Sequence, residues 1–146
     1  MIGIKKEVTD MMITTKGRYA LHVMEDLAVH GGDDPVSLKD IADRQNISMK
    51  YLESIVSMLN KAGFVESYRG KMGGYLLSRT PDRYTIAEIL ELTEGTLAPV
   101  MCLENGCPNS DGCLTLPLWQ NLDKIIGDYL GGVTLADIVE KRIEKI

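Results

Sequence analysis

Between Thr15 and Ser78 the chain alternates short helical stretches with tight stops and closes on a glycine-rich hairpin, an order that few folds accommodate. Thr15 opens an amphipathic stretch with Tyr19, Ala20, Val23, Met24, Leu27 and Ala28 on one face, and Gly31-Gly32 ends it. Ser37-Leu-Lys-Asp40 is a capping-box-like start, with Asp in place of Glu or Gln, for a short helix from Leu38 to Gln45. Asn46 can take the left-handed turn that stops it. Ser48 caps a third helix whose Leu52, Ile55, Val56 and Leu59 fall at i, i+3, i+4 and i+7, with Gly63 as its terminator. Two strand-like runs follow, Phe64–Tyr68 and Tyr75–Ser78, around Arg69-Gly70-Lys71-Met72-Gly73-Gly74, a hairpin tip carrying two cations. This order predicts a winged helix-turn-helix. Its third helix would enter the major groove of DNA and its hairpin tip would reach the backbone or the minor groove.

The second half continues the helical pattern. Thr85-Ile-Ala-Glu88 is a capping box for a helix that Gly95 ends. Pro117 starts a longer helix with Leu118, Leu122, Ile125, Ile126 and Tyr129 on one face, stopping at Gly131-Gly132. Thr134-Leu-Ala-Asp137 caps a terminal helix bearing Leu135, Ile138, Val139 and Ile143. A winged helix needs only about 70 residues, so the stripe of the long helix needs another surface. A second copy is the favoured one, because helix-turn-helix proteins usually read two half-sites as dimers. The expected fold is mainly α with a small β-hairpin wing: a winged helix-turn-helix domain plus a long dimerisation helix. The divisions are an N-terminal extension (1–11), the DNA-binding domain (12–84), and a segment (85–146) holding a cysteine loop (98–116) and the dimerisation helices. Met12-Ile13 looks the more natural beginning.

No apolar run approaches membrane-spanning length, and the first residues lack the apolar centre of a signal peptide, so a cytoplasmic protein with no membrane partner is expected. The net charge of −5 is unevenly spread. Residues 1–80 hold 11 Lys and Arg against 10 Asp and Glu, a net of +1, whereas residues 81–146 hold 5 against 11, a net of −6. The near-neutral front half can still present a basic face to DNA. No general base, nucleophile constellation or phosphate loop is visible, and Gly73-Gly74 is too short for the last, so no enzyme is expected.

All three cysteines stand in Cys102-Leu-Glu-Asn-Gly-Cys107-Pro-Asn-Ser-Asp-Gly-Cys113, among turn-forming residues. Cysteines buried as small hydrophobes would follow a helix or strand period, and these do not. Three soft ligands on one loop suit an iron–sulfur cluster or zinc, with a fourth ligand from elsewhere. The C-x4-C-x5-C spacing is wider than that of ordinary zinc knuckles.

Together, Thr15-Lys-Gly-Arg-Tyr-Ala20, Tyr51-Leu-Glu53, Arg69-Gly-Lys-Met-Gly-Gly-Tyr-Leu76 and Cys113-Leu-Thr-Leu-Pro-Leu-Trp119 resemble the IscR/NsrR branch of the Rrf-type family of bacterial winged-helix regulators, from about Met12 to Val139. The resemblance implies that Cys102, Cys107 and Cys113 hold a [2Fe–2S] cluster, or alternatively a [4Fe–4S] cluster, whose state alters DNA binding. It implies a recognition helix from Ser48 to Asn60 with Ser48, Lys50, Tyr51 and Glu53 facing a double-stranded operator. Arg69 would enter the minor groove, with Gly70 and Lys71 beside it and Thr15, Lys16 and Arg18 as further contacts. Helix 117–130 would make the homodimer.

The fourth cluster ligand departs from the pattern. IscR-type members carry a histidine three residues after the third cysteine, where this chain has Leu116. NsrR-type members borrow an aspartate from the partner's first helix, at the position of Tyr19. His22, His30, Glu104, Asp111, Glu7 and Asp10 remain available. The expected function is a DNA-binding regulator of iron–sulfur biogenesis or of a related iron, redox or nitric oxide stress response. One rival is a cluster-free, CymR-like regulator that uses the cysteines as a thiol switch or binds a partner enzyme. The other is a zinc-bound interaction module with no DNA role.

Overall fold

The computed structural model describes residues 13–106 and 110–146. The first helix, α1 (Thr15–His30), begins at Thr14, whose side chain accepts from the Gly17 N–H. Ala20, Val23, Met24 and Leu27 of α1 are buried, while Tyr19 and Ala28 are half-buried at the edges of the stripe. Next come α2 (Leu38–Gln45), capped by Ser37 and ended by Asn46 in the left-handed region at φ 54°, and α3 (Met49–Lys61), capped by Ser48. Gly63, at φ +78°, ends α3: its N–H reaches the Asn60 carbonyl and the Phe64 N–H reaches that of Leu59. These two bonds form a Schellman stop with Phe64 and Leu59 both in the core.

The wing is an antiparallel hairpin, β1 (Val65–Tyr68) and β2 (Gly74–Leu77), with Val65 opposite Leu77 and Tyr68 opposite Gly74. The first strand thus begins one residue later than its sequence-based limit and ends as expected, and the second lies one residue earlier at both ends. Phe64 belongs to the helix stop rather than to the ladder, and Gly74 joins it. Tyr75 exchanges both backbone hydrogen bonds with Val36, which ties the wing to the start of α2. Gly74 has φ +156°, and a Cβ there would collide with the Val36 carbonyl, so glycine is required.

Behind the wing, Tyr84 is fully buried and donates its O–H to the Phe64 carbonyl at 2.6 Å while accepting the Arg79 N–H at 3.0 Å. The Arg79 guanidinium lies over both rings, 5.1 Å from Phe64 and 4.6 Å from Tyr84, and donates to Glu88. Glu88 completes the capping box of α4 (Ile86–Glu94) with Thr85. Cys102 begins a single helical turn, α5 (Cys102–Asn105), so the cysteine segment has local structure where a loop was expected. The long helix α6 (Leu116–Gly132) runs through both glycines expected to stop it.

A second capping box, Thr134 with Asp137, opens α7 (Leu135–Val139), whose Leu135 is fully buried. The expected extension to Ile143 does not form. Lys141 turns into the left-handed region at φ 58°, and Arg142 folds back to donate to the Asp137 carbonyl and carboxylate, leaving Ile143 exposed. The core therefore joins α1, α2 and α3 to Ile86, Ile89, Leu90 and Leu135. By contrast, α6 has no buried residue. Leu122 and Ile126 are half-buried on one edge of its stripe, while Leu118, Ile125 and Tyr129 are 59%, 64% and 48% exposed.

Among the described residues, one carboxylate is buried. Asp26 on α1 accepts from Arg44 at 3.0 and 2.7 Å and from Gln45 at 3.0 Å, which fixes α2 against α1.

Candidate functional site

The periodicity that buries Leu52, Ile55, Val56 and Leu59 of α3 turns Lys50, Glu53, Ser54 and Ser57 to the opposite, exposed side. Ser48 is exposed as expected, but its Oγ also accepts the Tyr51 N–H at 3.3 Å, so it caps the helix as well as standing on its surface. Tyr51 is half-buried, its ring edge-on to Tyr19 at 5.6 Å, which brings the first turns of α3 against α1. Just upstream on α1, Arg18 is exposed and donates to the Thr15 hydroxyl at 3.2 Å, and Lys16 is half-buried. At the hairpin tip Arg69, Gly70 and Lys71 are all exposed, Gly70 at φ +106° with its carbonyl closing the turn to the Gly73 N–H. Sequence reasoning passed over Met49, 40% exposed ahead of Lys50, and Met72, 87% exposed at the tip. Their apolar character hid them, although their positions in the first helical turn and the hairpin loop were legible.

Cys102 and Cys113 are free, half-buried thiols on either side of the loop. Cys113 precedes α6, with its Sγ 3.4 Å from the Thr115 hydroxyl. That hydroxyl, followed by the backbone N–H groups of Thr115 and Leu116, holds the thiol below its ordinary range against a small opposing effect of burial. Cys107 lies outside the described residues, as do Glu7, Asp10 and the expected extension 1–11. Among the described residues, no three His, Cys, Asp or Glu side chains converge as a metal site. Of the other possible fourth ligands, His22 stands 3.4 Å from Glu25 on the exposed side of α1, and His30 is exposed at its last turn. Glu104 and Asp111 are exposed on the loop, Leu116 is half-buried, and Tyr19 packs against Tyr51 and His22. A hollow of ≈ 390 Å³ separates the end of α4 from α5 and α6, lined in part by Glu91, Leu103, Glu104 and Asp123.

The chain's likeness to known proteins follows this arrangement. The profile of the Rrf2 family, described as iron-dependent transcriptional regulators, matches residues 13–141. The chain belongs to the Rrf2 family. It is 41% identical over 133 residues to the HTH-type transcriptional regulator IscR of Xenorhabdus nematophila, covering 90% of this chain and 81% of that one. The structure of CymR, the global cysteine regulator of B. subtilis, matches with a TM-score of 0.75 at 40% identity, over 89% of this chain and 97% of that one. The T. potens IscR structure matches with a TM-score of 0.73 at 38% identity, over 90% and 88%. As a member of the Rrf2 family, the chain is a DNA-binding transcription regulator and not an enzyme. The expected winged-helix architecture agrees with these neighbours, and among the described residues no helix is long and apolar enough to cross a membrane.

Proposed function

We propose that this Rrf2-family regulator binds its operator as a homodimer and that an iron–sulfur cluster on Cys102, Cys107 and Cys113 modulates the binding. The observation that carries this reading is the confinement of all three cysteines to the segment joining α4 to α6, with two of them standing as free, half-buried thiols. The donor set fits the group: soft thiolates suit iron–sulfur clusters, and the N–H groups ahead of α6 can donate to sulfur. When bound, a [2Fe–2S] cluster, or alternatively a [4Fe–4S] one, supplies a centre whose occupancy and charge respond to iron, oxygen or nitric oxide. The IscR-named relatives support a role in iron–sulfur biogenesis or a related stress response. Purification without oxygen, followed by a visible spectrum and an iron and sulfide count, tests the reading.

On the DNA side, Lys16, Arg18, Lys50, Arg69 and Lys71 supply phosphate-neutralising cations, with Thr15, Ser48, Tyr51 and Gly70 among them. Arg69 at the tip can enter a narrow, A·T-rich minor groove, where the negative potential is strongest. Glu53 can only accept, so it favours a cytosine amino group and is repelled by phosphate. The two should fail differently in fluorescence titrations against duplexes selected from a random pool. Arg69→Ala should weaken every site by roughly 1–3 kcal/mol. Glu53→Ala should broaden sequence choice and tighten binding to sites lacking the favoured cytosine. Equal affinities of wild type and Arg69→Ala across a salt series would remove the wing from the interface.

The exposed edge of α6 is read as the dimer surface, because Leu118, Ile125 and Tyr129 form an apolar stripe that a second copy would cover. Ile125→Glu should shift the protein to monomer in sedimentation and cost affinity for two half-sites together. A variant that sediments as wild type would place the contact elsewhere.

Two observations favour a second reading. The 40% identity to CymR and the lowered Cys113 thiol suit a cluster-free thiol switch. A colourless anaerobic preparation whose DNA binding responds to oxidants would select it.

A further inference from the structure

In a capping box, the N-cap side chain accepts from the third helical residue, whose own carboxylate reaches back to the N-cap N–H. Thr85 with Glu88 and Thr134 with Asp137 do this within four residues. In α1 the third helical residue is Gly17, which has no side chain to return. The missing half comes from 80 residues away: Glu94 Oε1 accepts the Thr14 N–H at 3.1 Å and the Thr14 O–H at 2.7 Å. A second, independent feature matches the first. A Cβ on Gly17 would collide with Glu94 Oε1 and lie 3.1 Å from Thr93 Oγ1, so the glycine both omits the local carboxylate and makes room for the remote one. Glu94 is the last residue of α4, and Gly95 then starts the segment that leads to Cys102.

We propose that Glu94 is a positioning residue that completes the cap of α1 from the end of α4, coupling the cysteine segment to the first turn of α1. A local box would let α1 start independently of α4. The remote carboxylate instead makes the Thr15–Arg18 turn depend on where α4 ends, so a rearrangement of the cysteine segment that shifts that end also loosens the turn. Only the final consequence for operator affinity rests on the proposed reading of Thr15, Lys16 and Arg18 as DNA contacts.

Amide hydrogen exchange on the full chain, purified without oxygen, tests the coupling without DNA, its cysteine arm resting on the proposed cluster. Glu94→Ala should speed exchange of the Gly17 and Arg18 amides on the order of fivefold to tenfold, the usual consequence of losing a cap. Gly17→Ala should do the same, although alanine is the better helix former, because its methyl displaces Glu94. Glu94→Gln keeps the accepting Oε1 and should stay near wild type, which separates loss of the contact from misfolding. A Cys102→Ser/Cys113→Ser double change should alter exchange in this turn in the wild-type background and have no further effect in Glu94→Ala. Unchanged exchange in Glu94→Ala would overturn the proposal, as would a cysteine change that is silent in wild type or equally effective in both backgrounds. Failure of the wild-type protein to enrich any duplex from a random pool would count against the DNA reading instead, and the exchange results would still decide the cap.

Discussion

Replacing any one of Cys102, Cys107 or Cys113 by alanine is expected to abolish cluster binding while leaving the fold intact. In the proposed site each thiolate is a ligand that no neighbouring water or carboxylate replaces with comparable softness. The fold should survive because, among the described residues, no cysteine belongs to the buried hydrophobic core, whose members pass from Leu90 to Leu135. Surface changes of this kind usually stay within about 0.5 kcal/mol in stability. Iron and sulfide counts together with a thermal melt check both halves. A triple-alanine protein that kept its full iron and sulfide content would refute the assignment.

The largest stability effect should come from the buried ion pair between α1 and α2. Arg44→Ala strands Asp26, whose side chain is fully buried, with only the Gln45 amide as a side-chain partner. The cost should be about 2–3 kcal/mol, below the roughly 3–5 kcal/mol of a wholly buried pair because Arg44 itself is about one-third exposed. The same pair sets a pH dependence. Burial alone would raise the Asp26 carboxyl. The hydrogen bonds from Arg44 and Gln45 and the charge of Arg44, with a further contribution from His30, outweigh it and hold the group below its ordinary range. The folded value therefore lies below the unfolded value of about 3.9, so the stabilisation is whole above about pH 4 and is lost as pH falls through the folded value. Asp26→Asn should lose stability at neutral pH and show a shallower decline in Tm below pH 4. A wild-type melt as flat as that of Asp26→Asn across that range would contradict the role of the pair.

What could be read in the sequence and what could not divides by distance along the chain. Ser37, Ser48, Thr85 and Thr134 announce their helices because a cap is satisfied within three residues, and all four cap in the structure. The buried face of α3 follows from its period, and the exposed positions of Lys50 and Glu53 follow by complement. Contacts between remote residues left no such signal. Asp26 meets Arg44 across 18 positions, and Glu94 meets Thr14 across 80. Tyr84 looks like an ordinary aromatic until its hydroxyl is seen bridging the Phe64 carbonyl and the Arg79 N–H. The end of α7 was misplaced for the same reason: Ile143 keeps helical spacing, but Arg142 finds a better partner in Asp137 than the next helical turn would give it. Tyr51 was legible as a residue of the third helix, though not as a ring packed on Tyr19.

On the proposed reading, the state of the cysteine segment sets operator affinity. The most direct measurement is the affinity of protein purified without oxygen for one selected duplex, before and after removal of its iron, at a fixed salt concentration. Visible absorption with iron and acid-labile sulfide in equal amounts is expected, with an affinity that changes by roughly 5- to 150-fold on stripping, the usual span of coupling between two sites. Colourless, iron-free protein, or equal affinity in the two forms, would contradict that reading.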